Sequence, residues 1–376
     1  MIKINKIYKK YKNDKVYLCA DVIKNDELAT LWISINKEYS KYLVYKRSDC
    51  FVLALAFTAT SLGENIVTDV PVSSRLLYQL NTYFLPSLAK ILKRNPIKIE
   101  APFEVKKMQC ANLVGTGYSG GVDAMYTIMK HTNNDNMYVP KLDYICVINS
   151  GSYDNSKCSD FELDKKRASK CANYMNLKLL EIDSNFHEVL TEDYLAVYTY
   201  RLAAIILGVQ KLFGTYLLSS GNPYDRFSLS RNNSANSDLL NMHSFNTETL
   251  HFISSGAGVK RHEKIKELSE FPFAYDNLHP CFKNSKSNCG HCKKCRRDTV
   301  TLWAYGILDK FKNVYDVDFA LKNLDINIAF VYANRTMPLY KEVIDLLTEK
   351  NIEIPKRSMI IAKQFEKSLD NIKKMK

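Results

Sequence analysis

The spacing of hydrophobic and polar residues changes character near residue 110. Before that point, short apolar runs, and apolar residues three or four positions apart, predict a mixture of strands and helices. The expected elements are the strands Val16–Ile23, Thr30–Ile35 and Ile97–Val105 and the helices Asp49–Leu62 and Ser73–Lys93. This mixture carries no chemical motif and predicts an α+β domain of unknown role over residues 1–108.

After residue 110, strands alternate with helices. The expected strands are Ala111–Gly117, Tyr144–Asn149, Leu177–Ile182 and Tyr216–Ser219, and the expected helices are Val122–His131, Asp160–Met175 and Asp193–Phe213. Such alternation predicts a parallel sheet with right-handed crossovers, whose ligands bind at the carboxyl ends of the strands. Residues 109–310 are therefore predicted to form an α/β domain, and residues 311–376 a helical C-terminal extension.

The composition indicates a globular protein. Hydrophobic residues make up 46% and charged residues 25% of the chain, as in ordinary folded domains. No apolar run approaches the ~18–20 residues that a membrane span needs, and Met1–Lys15 lacks the apolar core of a signal peptide. We therefore expect a cytoplasmic protein without a membrane partner. The net charge of +13 leaves a nucleic-acid partner open without supporting it, because an AT-rich genome also enriches Lys, Asn, Ile and Tyr.

Glycine is scarce, yet four of the 13 glycines lie between Gly115 and Gly121. They fall between a predicted strand and a predicted helix, where backbone N–H groups and the helix dipole favour a phosphate. No Lys-Ser or Lys-Thr pair follows, which excludes a Walker A loop. A dinucleotide motif matches Gly115, Gly117 and Gly120, but that motif needs an acid at the end of the second strand, where this chain has Asn149.

The segment Ser119–Asp123, Ser-Gly-Gly-Val-Asp, resembles the loop of the PP-loop ATP pyrophosphatases, which have an adenine-nucleotide alpha-hydrolase-like fold. Two adjacent glycines let the backbone wrap a pyrophosphate closely, and the Ser119 hydroxyl can donate to a phosphate oxygen. Asp123 can hold Mg²⁺ directly or through water, although a first-turn acid also interacts favourably with the helix dipole alone. Where the family has a final Ser or Thr, this chain has Ala124, which removes one hydroxyl.

Four of the ten cysteines lie close together as Cys281-x7-Cys289-x2-Cys292-x2-Cys295. Cysteines three positions apart chelate one ion, and four thiolates complete a closed, structural tetrahedral site, which favours Zn²⁺. An iron–sulfur cluster is the alternative, although the Cys-Pro that ends the ferredoxin motif is absent. The remaining cysteines are scattered, as expected for reduced thiols: Cys19, Cys50, Cys110, Cys146, Cys158 and Cys171.

Together, the loop and the cysteine cluster resemble the 7-cyano-7-deazaguanine synthase family over about residues 109–305. The similarity includes Ile253–Lys264, in which Arg261, Glu263 and Lys264 match the family's helix start. The resemblance implies a parallel five-stranded sheet of the PP-loop type with flanking helices, ATP as substrate and a structural zinc. With the Mg²⁺ expected at Asp123, the expected cofactors are ATP, Mg²⁺ and Zn²⁺.

The chemistry implied by the resemblance is attack of a carboxylate on the α-phosphorus of ATP, which gives an acyl-adenylate and pyrophosphate. Four residues are candidates for catalysis: Ser119, Asp123, Arg201 and Lys264. For Arg201 and Lys264 a surface cation with no catalytic role is an equal alternative. The candidate nucleotide-binding residues are Tyr118, Ser119, Gly120, Gly121, Val122, Asp123, Ala124, Asn149, Ser219 and Gly221.

The partner is expected to be a small carboxylic acid, such as a 7-deazaguanine carrying a carboxylate. Enlarged relatives occur in bacterial antiviral defence operons, and that resemblance implies an acid joined to another acceptor, with a protein among the options. Two alternatives stay open. One is a PP-loop enzyme that thiolates tRNA through a persulfide on Cys146 or Cys158, and the other is a nucleotide-binding subunit without catalysis, which Ala124 favours.

Overall fold

The computed structural model describes residues 1–132, 139–153 and 158–374, with the backbone alone for 158–159 and 368–374. The chain forms two compact units, one of Met1–Tyr118 with Asn134–Ala257 and the other of Ser119–Asn133 with Gly258–Lys376. The Cys158 thiol and residues 375–376 of the predicted extension lie outside the described part. The division at 108/109 and 310/311 stays a prediction about the organisation of the sequence.

The strands, numbered along the chain, all belong to the first unit. They are β1 (Ile2–Lys12), β2 (Lys15–Lys24), β3 (Glu27–Asn36), β4 (Ile66–Thr68), β5 (Val72–Ser73), β6 (Ile99–Glu100), β7 (Phe103–Glu104), β8 (Leu113–Gly117), β9 (Tyr144–Ile148), β10 (Lys178–Ser184), β11 (Phe213–Ser219) and β12 (His251–Ser255). Two of them, β5 and β7, pair separately from the main sheet.

The helices of both units are numbered in the same way. They are α1 (Asp49–Leu62), α2 (Ser74–Gln79), α3 (Leu85–Leu92), α4 (Val122–Thr132), α5 (Cys158–Met175), α6 (Phe186–Val189), α7 (Tyr194–Gly208), α8 (Asp238–Ser244), α9 (Arg261–Leu268), α10 (Pro272–Asn277), α11 (Lys293–Ala304), α12 (Val317–Lys322), α13 (Leu324–Ala333), α14 (Pro338–Glu349) and α15 (Lys356–Lys374). The helix predicted at Asp193–Phe213 ends earlier, and Phe213 begins β11, because apolar spacing continues through the turn between them.

The main sheet has ten strands in the order β12-β11-β8-β9-β10-β3-β2-β1-β4-β6. Strands β8 to β12 pair in parallel, as the alternating pattern predicts. The expected five-stranded sheet is not confirmed, because the five parallel strands belong to a sheet of ten. Strand β10 continues into β3 by antiparallel pairing of Asp183 with Ser34 and of Ser184 with Ile33. This pairing satisfies backbone groups that an edge strand would leave open.

Within the parallel part, the chain builds β8 first, then β9 and β10 on one side of it and β11 and β12 on the other. The strand order therefore reverses between β8 and β11. In open α/β sheets, ligands bind outside the carboxyl ends of the strands at such a reversal. In this chain those ends are Gly117 of β8 and Ser219 of β11.

One hydrophobic core fills the first unit and takes residues from both sides of position 108, including Leu31, Phe51, Ile205 and Phe213. At its centre, α1 packs against α7. Helix α1 is buried from its first residue to Thr60, and it ends at Gly63. The residues before 108 thus help to build the core that supports the parallel strands.

Asp49, the first residue of α1, is fully buried. Its Oδ1 accepts a hydrogen bond from the Ser73 N–H at 2.7 Å, and its Oδ2 accepts one from Gln210 Nε2 at 2.8 Å. Burial raises the pKa of Asp49 to about 6, although these two hydrogen bonds oppose the rise. The native state therefore holds this proton more tightly than the unfolded chain does. The free energy of unfolding should fall as the pH rises from the ordinary carboxyl pKa, about 4, through about 6.

We expect the free energy of unfolding of the wild type to fall by about 2 kcal/mol, relative to that of Asp49→Asn, between pH 4 and pH 7. The variant carries no titrating group at this site and lacks this component of the pH dependence. Urea unfolding of both proteins at four pH values measures the difference. Parallel pH profiles would show that Asp49 titrates at its ordinary value.

The second unit is helical. Helix α4 packs against α9, helix α11 against α9, α13 and α14, and α13 against α15. Its apolar core includes Val300, Ile328, Val343 and Leu346. In the part of the chain that the structure describes, no helix is both long enough and apolar enough to cross a membrane.

Candidate functional site

The glycine cluster has two halves with different structural roles. Gly115 and Gly117 lie inside β8, and a Cβ at Gly115 would be only 2.6 Å from Cε1 of Phe213. Close packing against that ring therefore explains Gly115 without a ligand. Gly120 lies in the following loop with a φ of 66°, a conformation that glycine adopts without strain. Its carbonyl accepts a hydrogen bond from the His279 N–H at 2.7 Å.

The loop side chains differ in exposure. Ser119 is exposed and makes no hydrogen bond within the described residues, so its hydroxyl is available to a ligand. Among the residues that the structure describes, a Cβ at Gly121 would meet the Ser119 Oγ alone, at 3.5 Å. Contacts within this part of the chain therefore do not explain why the position is a glycine. Ala124, in the first turn of α4, is buried.

Asp123 is held by two cations of α9. Its Oδ2 lies 2.6 Å from Arg261 Nη1, and its Oδ1 lies 3.1 Å from Lys264 Nζ. The Lys264 side chain is only 2% exposed, so this pair is buried on the lysine side. Burial raises the pKa of Asp123, but Arg261 and Lys264 outweigh it and keep the pKa below its ordinary value. Asp123 is therefore ionised, with both carboxylate oxygens engaged.

The ion-pair network extends from Arg261 to the buried Asp298 of α11. Arg261 Nη2 lies 3.2 Å from Asp298 Oδ2, and Arg297 Nε lies 3.1 Å from Asp298 Oδ1. Burial and the neighbouring Arg261 lower the pKa of the half-buried Lys294, which places a further lysine beside this group. The cations Arg261, Lys264, Lys294 and Arg297 thus outnumber the carboxylates Asp123 and Asp298 by four to two. An anion at this place would meet a positive potential.

Arg297 and Asp298 belong to this network although no motif in the sequence identifies them as site residues. The available signal was the composition of Lys293–Asp298, the first half of α11, where Asp298 is the single acid among four basic residues. An acid so placed, if buried, requires cationic partners.

Two predicted residues of the first unit stand at the ends of parallel strands. Asn149 follows β9, and its side chain is used internally: Nδ2 donates to Asp183 Oδ1 at 2.9 Å, and Oδ1 accepts from the Gly151 N–H at 3.1 Å. Ser219 ends β11, and its Oγ is buried without a hydrogen-bond partner in the described chain. An orphaned buried hydroxyl at this position fits a polar ligand.

The other predicted residues of this unit are Tyr118, Gly221 and Arg201. The Tyr118 hydroxyl is buried and unpaired within the described residues, whereas its N–H donates to the Cys146 carbonyl at 2.8 Å. Gly221 is half-buried in the turn after β11. Arg201 is buried, and its Nη2 lies 2.7 Å from Glu192 Oε2. That ion pair gives Arg201 a structural explanation, while its catalytic role stays a prediction.

The four cysteines of the cluster converge, with all four Sγ atoms within 4.8 Å of one another. Cys281 Sγ and Cys292 Sγ are 4.0 Å apart. In a tetrahedral site with Zn–S bonds of about 2.3 Å the sulfur atoms lie about 3.8 Å apart, so a small contraction would bring these thiols onto one ion. The four-cysteine group can therefore bind a metal such as zinc, as its spacing predicts.

Backbone geometry prepares these thiols for a metal. The Cys292 N–H donates to Cys289 Sγ at 3.3 Å, and Cys292 caps α11, where its Sγ accepts the Cys295 N–H at 3.5 Å. Burial raises the pKa of Cys281, but hydrogen bonds from backbone N–H groups, chiefly that of Cys289, outweigh it and lower the pKa to about 7. Asn288 fixes the loop by donating to the Leu278 carbonyl at 2.9 Å. These contacts favour the thiolate of Cys281, the form that binds metal, whereas burial raises the pKa of Cys289 and Cys295.

Comparison with protein-family models, with curated proteins and with solved structures finds no match to this chain. The similarity to the synthase family therefore depends on the residues themselves, namely the loop Ser119–Asp123, the start of α9 and the four cysteines.

Proposed function

We propose that this chain is an ATP-dependent enzyme that adenylates a small carboxylic acid and releases pyrophosphate, in the manner of the 7-cyano-7-deazaguanine synthases that it resembles. The observation that carries the proposal is the position of the glycine loop. It leaves the central strand β8 at the reversal of strand order and enters α4 directly. A loop so placed offers backbone N–H groups and a helix N-terminus to a phosphate chain.

Three further features support a pyrophosphate at this loop. Among the described residues, a Cβ at Gly121 would meet the Ser119 Oγ alone, and the Ser119 hydroxyl is exposed. The ion-pair network of Asp123 contains more basic side chains than carboxylates. In the proposed reaction, an oxygen of the substrate carboxylate forms a bond to the α-phosphorus of ATP. The bond from that phosphorus to the bridging oxygen breaks, and pyrophosphate leaves with the electron pair. The loop amides, Ser119 and the cations stabilise the negative charge that develops on it.

Asp123 is assigned a positioning role in this proposal. Arg261 and Lys264 contact both carboxylate oxygens of Asp123, and these two cations disfavour direct coordination of Mg²⁺ there because they would repel it. We therefore propose that Mg²⁺ arrives bound to the phosphates of ATP, where it would neutralise part of their charge. Asp123 then fixes the two cations at the start of α9.

The cysteine cluster is proposed to hold zinc in a structural role. All four ligand positions of a tetrahedral ion would be filled by Cys281, Cys289, Cys292 and Cys295, which leaves no open position for a substrate.

The acid and its acceptor are proposed by resemblance. A 7-deazaguanine carrying a carboxylate is the first candidate acid, and ammonia or a protein amine is the candidate acceptor. Incubation of the protein with Mg-ATP and a panel of carboxylic acids, followed by mass spectrometry, tests this directly. An acyl-adenylate that forms with one acid and disappears when ATP is omitted supports the proposal.

One alternative has a specific observation behind it. A subunit that binds nucleotide without catalysis would tolerate the buried Ala124 in place of a hydroxyl and the fully engaged Asp123. Nucleotide binding without any adenylate or pyrophosphate, for every acid in the panel, would favour it. For the thiolating alternative, burial raises the pKa of the Cys146 thiol, which disfavours a reactive thiolate at that one of its two candidate cysteines.

A further inference from the structure

A second basic site lies in the first unit, at the amino ends of β8 and β11. A cavity of about 600 Å³ opens there, lined by five basic residues and a single acid. These residues are Lys41, Arg47, Lys106, Lys107, Lys211 and Glu104. The volume lies within the range of small-ligand sites, which is about 300–1,000 Å³.

Arg47 is the buried member of this set, with a side chain only 2% exposed. Its Nε donates to Glu104 Oε2 at 3.1 Å, and its Nη2 donates to the Lys106 carbonyl. Its Nη1 is buried and has no hydrogen-bond partner in the described chain, with Glu248 Oε2 3.8 Å away. Nη1 is therefore held by an ion pair with Glu248 and leaves a hydrogen-bond donor unused.

The lysines around Arg47 are not neutralised. Among the described residues, no carboxylate oxygen lies within 4.0 Å of the ammonium groups of Lys106, Lys107 or Lys211. Burial and the neighbouring Lys211 lower the pKa of Lys9, which is the effect expected of a positive potential at this place. The lining residues alone carry five positive charges and one negative charge.

This cavity is separate from the glycine loop. Lys211 and Ala111 are joined by a hydrogen bond from the Ala111 N–H to the Lys211 carbonyl at 2.8 Å, just before β8 and β11 begin. The glycine loop leaves the opposite end of β8, after Gly117. The residues that line the cavity include none of those proposed to bind the pyrophosphate of ATP.

We propose that this cavity binds a small anion that carries two or more phosphate groups. The excess of cations compensates several negative charges, and ammonium and guanidinium groups form strong hydrogen bonds to phosphate oxygens. The phosphate chain is the recognised chemistry, whether it is free or part of a nucleotide.

Calorimetric titration of the full chain with tripolyphosphate tests the proposal. The titration is made in a Gly121→Glu background, which places a carboxylate in the glycine loop and removes that loop as a competing site. Binding should persist in this background. The double variant Lys107→Glu with Lys211→Glu should weaken it by about tenfold or more, because two attractive charges become repulsive.

Lys46→Glu is the matched control, because Lys46 is exposed and lies next to Arg47 in the sequence but does not line the cavity. It should change the affinity by less than about twofold, as expected for a screened surface charge. Thermal melting of all variants verifies that they fold. Titration with ATP then shows whether the cavity recognises a free phosphate chain or a nucleotide. Equal affinity for ATP and tripolyphosphate indicates that the phosphate chain alone is recognised, and tighter binding of ATP indicates that the nucleotide is recognised.

Three results would overturn the proposal. The first is loss of tripolyphosphate binding in the Gly121→Glu background, and the second is equal weakening of that binding by Lys46→Glu and by the double variant. The third is binding of a single-stranded RNA by the cavity lysines in a protein that does not bind tripolyphosphate. Because none of these readouts depends on AMP formation, failure of this proposal and failure of the proposed enzymatic function are distinguishable.

Discussion

Replacing Cys292 with alanine is expected to lower the melting temperature of the protein strongly and to abolish stoichiometric zinc. Cys292 supplies one of four converging thiols and also caps α11. In small zinc sites the binding free energy, about 10–16 kcal/mol, is folding free energy, so losing one ligand removes a large part of it. Elemental analysis of anaerobically purified wild type should give one zinc per chain and no iron.

Cys110→Ala is the matched control, because Cys110 is a half-buried free cysteine outside the cluster. It should retain the zinc and the melting temperature of the wild type. A Cys292→Ala protein that melts like the wild type would contradict a structural metal. Iron in the protein, accompanied by visible absorption, would show that the four cysteines bind an iron–sulfur cluster and not zinc.

Replacing Asp123 with alanine is expected to reduce the rate of AMP formation by about 10²–10³-fold, as when one preorganised charged group is lost from an active site. The same change should destabilise the protein, by about 3–5 kcal/mol, because it breaks a buried ion pair and leaves Lys264 without its carboxylate. The rate must therefore be expressed per folded molecule, with the folded fraction measured by circular dichroism.

Asp298→Asn separates the two effects. It disturbs the same network through Arg261 but leaves the contact between Asp123 and Lys264 in place. We expect a comparable loss of stability and less than a tenfold loss of rate per folded molecule. Ser119→Ala should be mild in both respects, since it removes one exposed hydroxyl and leaves the loop amides. Equal rates for Asp123→Ala and the wild type would remove Asp123 from the mechanism.

The sequence predicts those parts of the fold that local spacing determines. The strand–loop–helix unit around the glycines, the parallel strands and the convergence of the four cysteines all follow from residues close together in the chain. The extension of the sheet through β10 and β3 does not, because it pairs Asp183 with Ser34, 149 positions apart, and no local pattern records that register. Strand β1 is not predicted from the sequence for another reason: its many lysines mask the alternation of buried and exposed positions.

Side-chain partners across helices were the least predictable part of the candidate site. Asp123 was expected to meet a helix dipole or a metal ion, but its partners come from a helix that begins 138 positions later. Arg201 was expected near the nucleotide, and its partner Glu192 lies nine positions earlier, which is no helical spacing. Ion pairs of this kind depend on packing that the sequence of one chain does not display.

The proposed function requires that the substrate attacks the α-phosphorus of ATP. If the glycine loop grips the β- and γ-phosphates as a leaving group, the α-phosphorus is exposed to the substrate. Anion-exchange chromatography of the nucleotides, after incubation of the wild type with Mg-ATP and the acid identified by mass spectrometry, measures this directly. The account predicts AMP and pyrophosphate in equal amounts, and ADP with phosphate as the main products would contradict it.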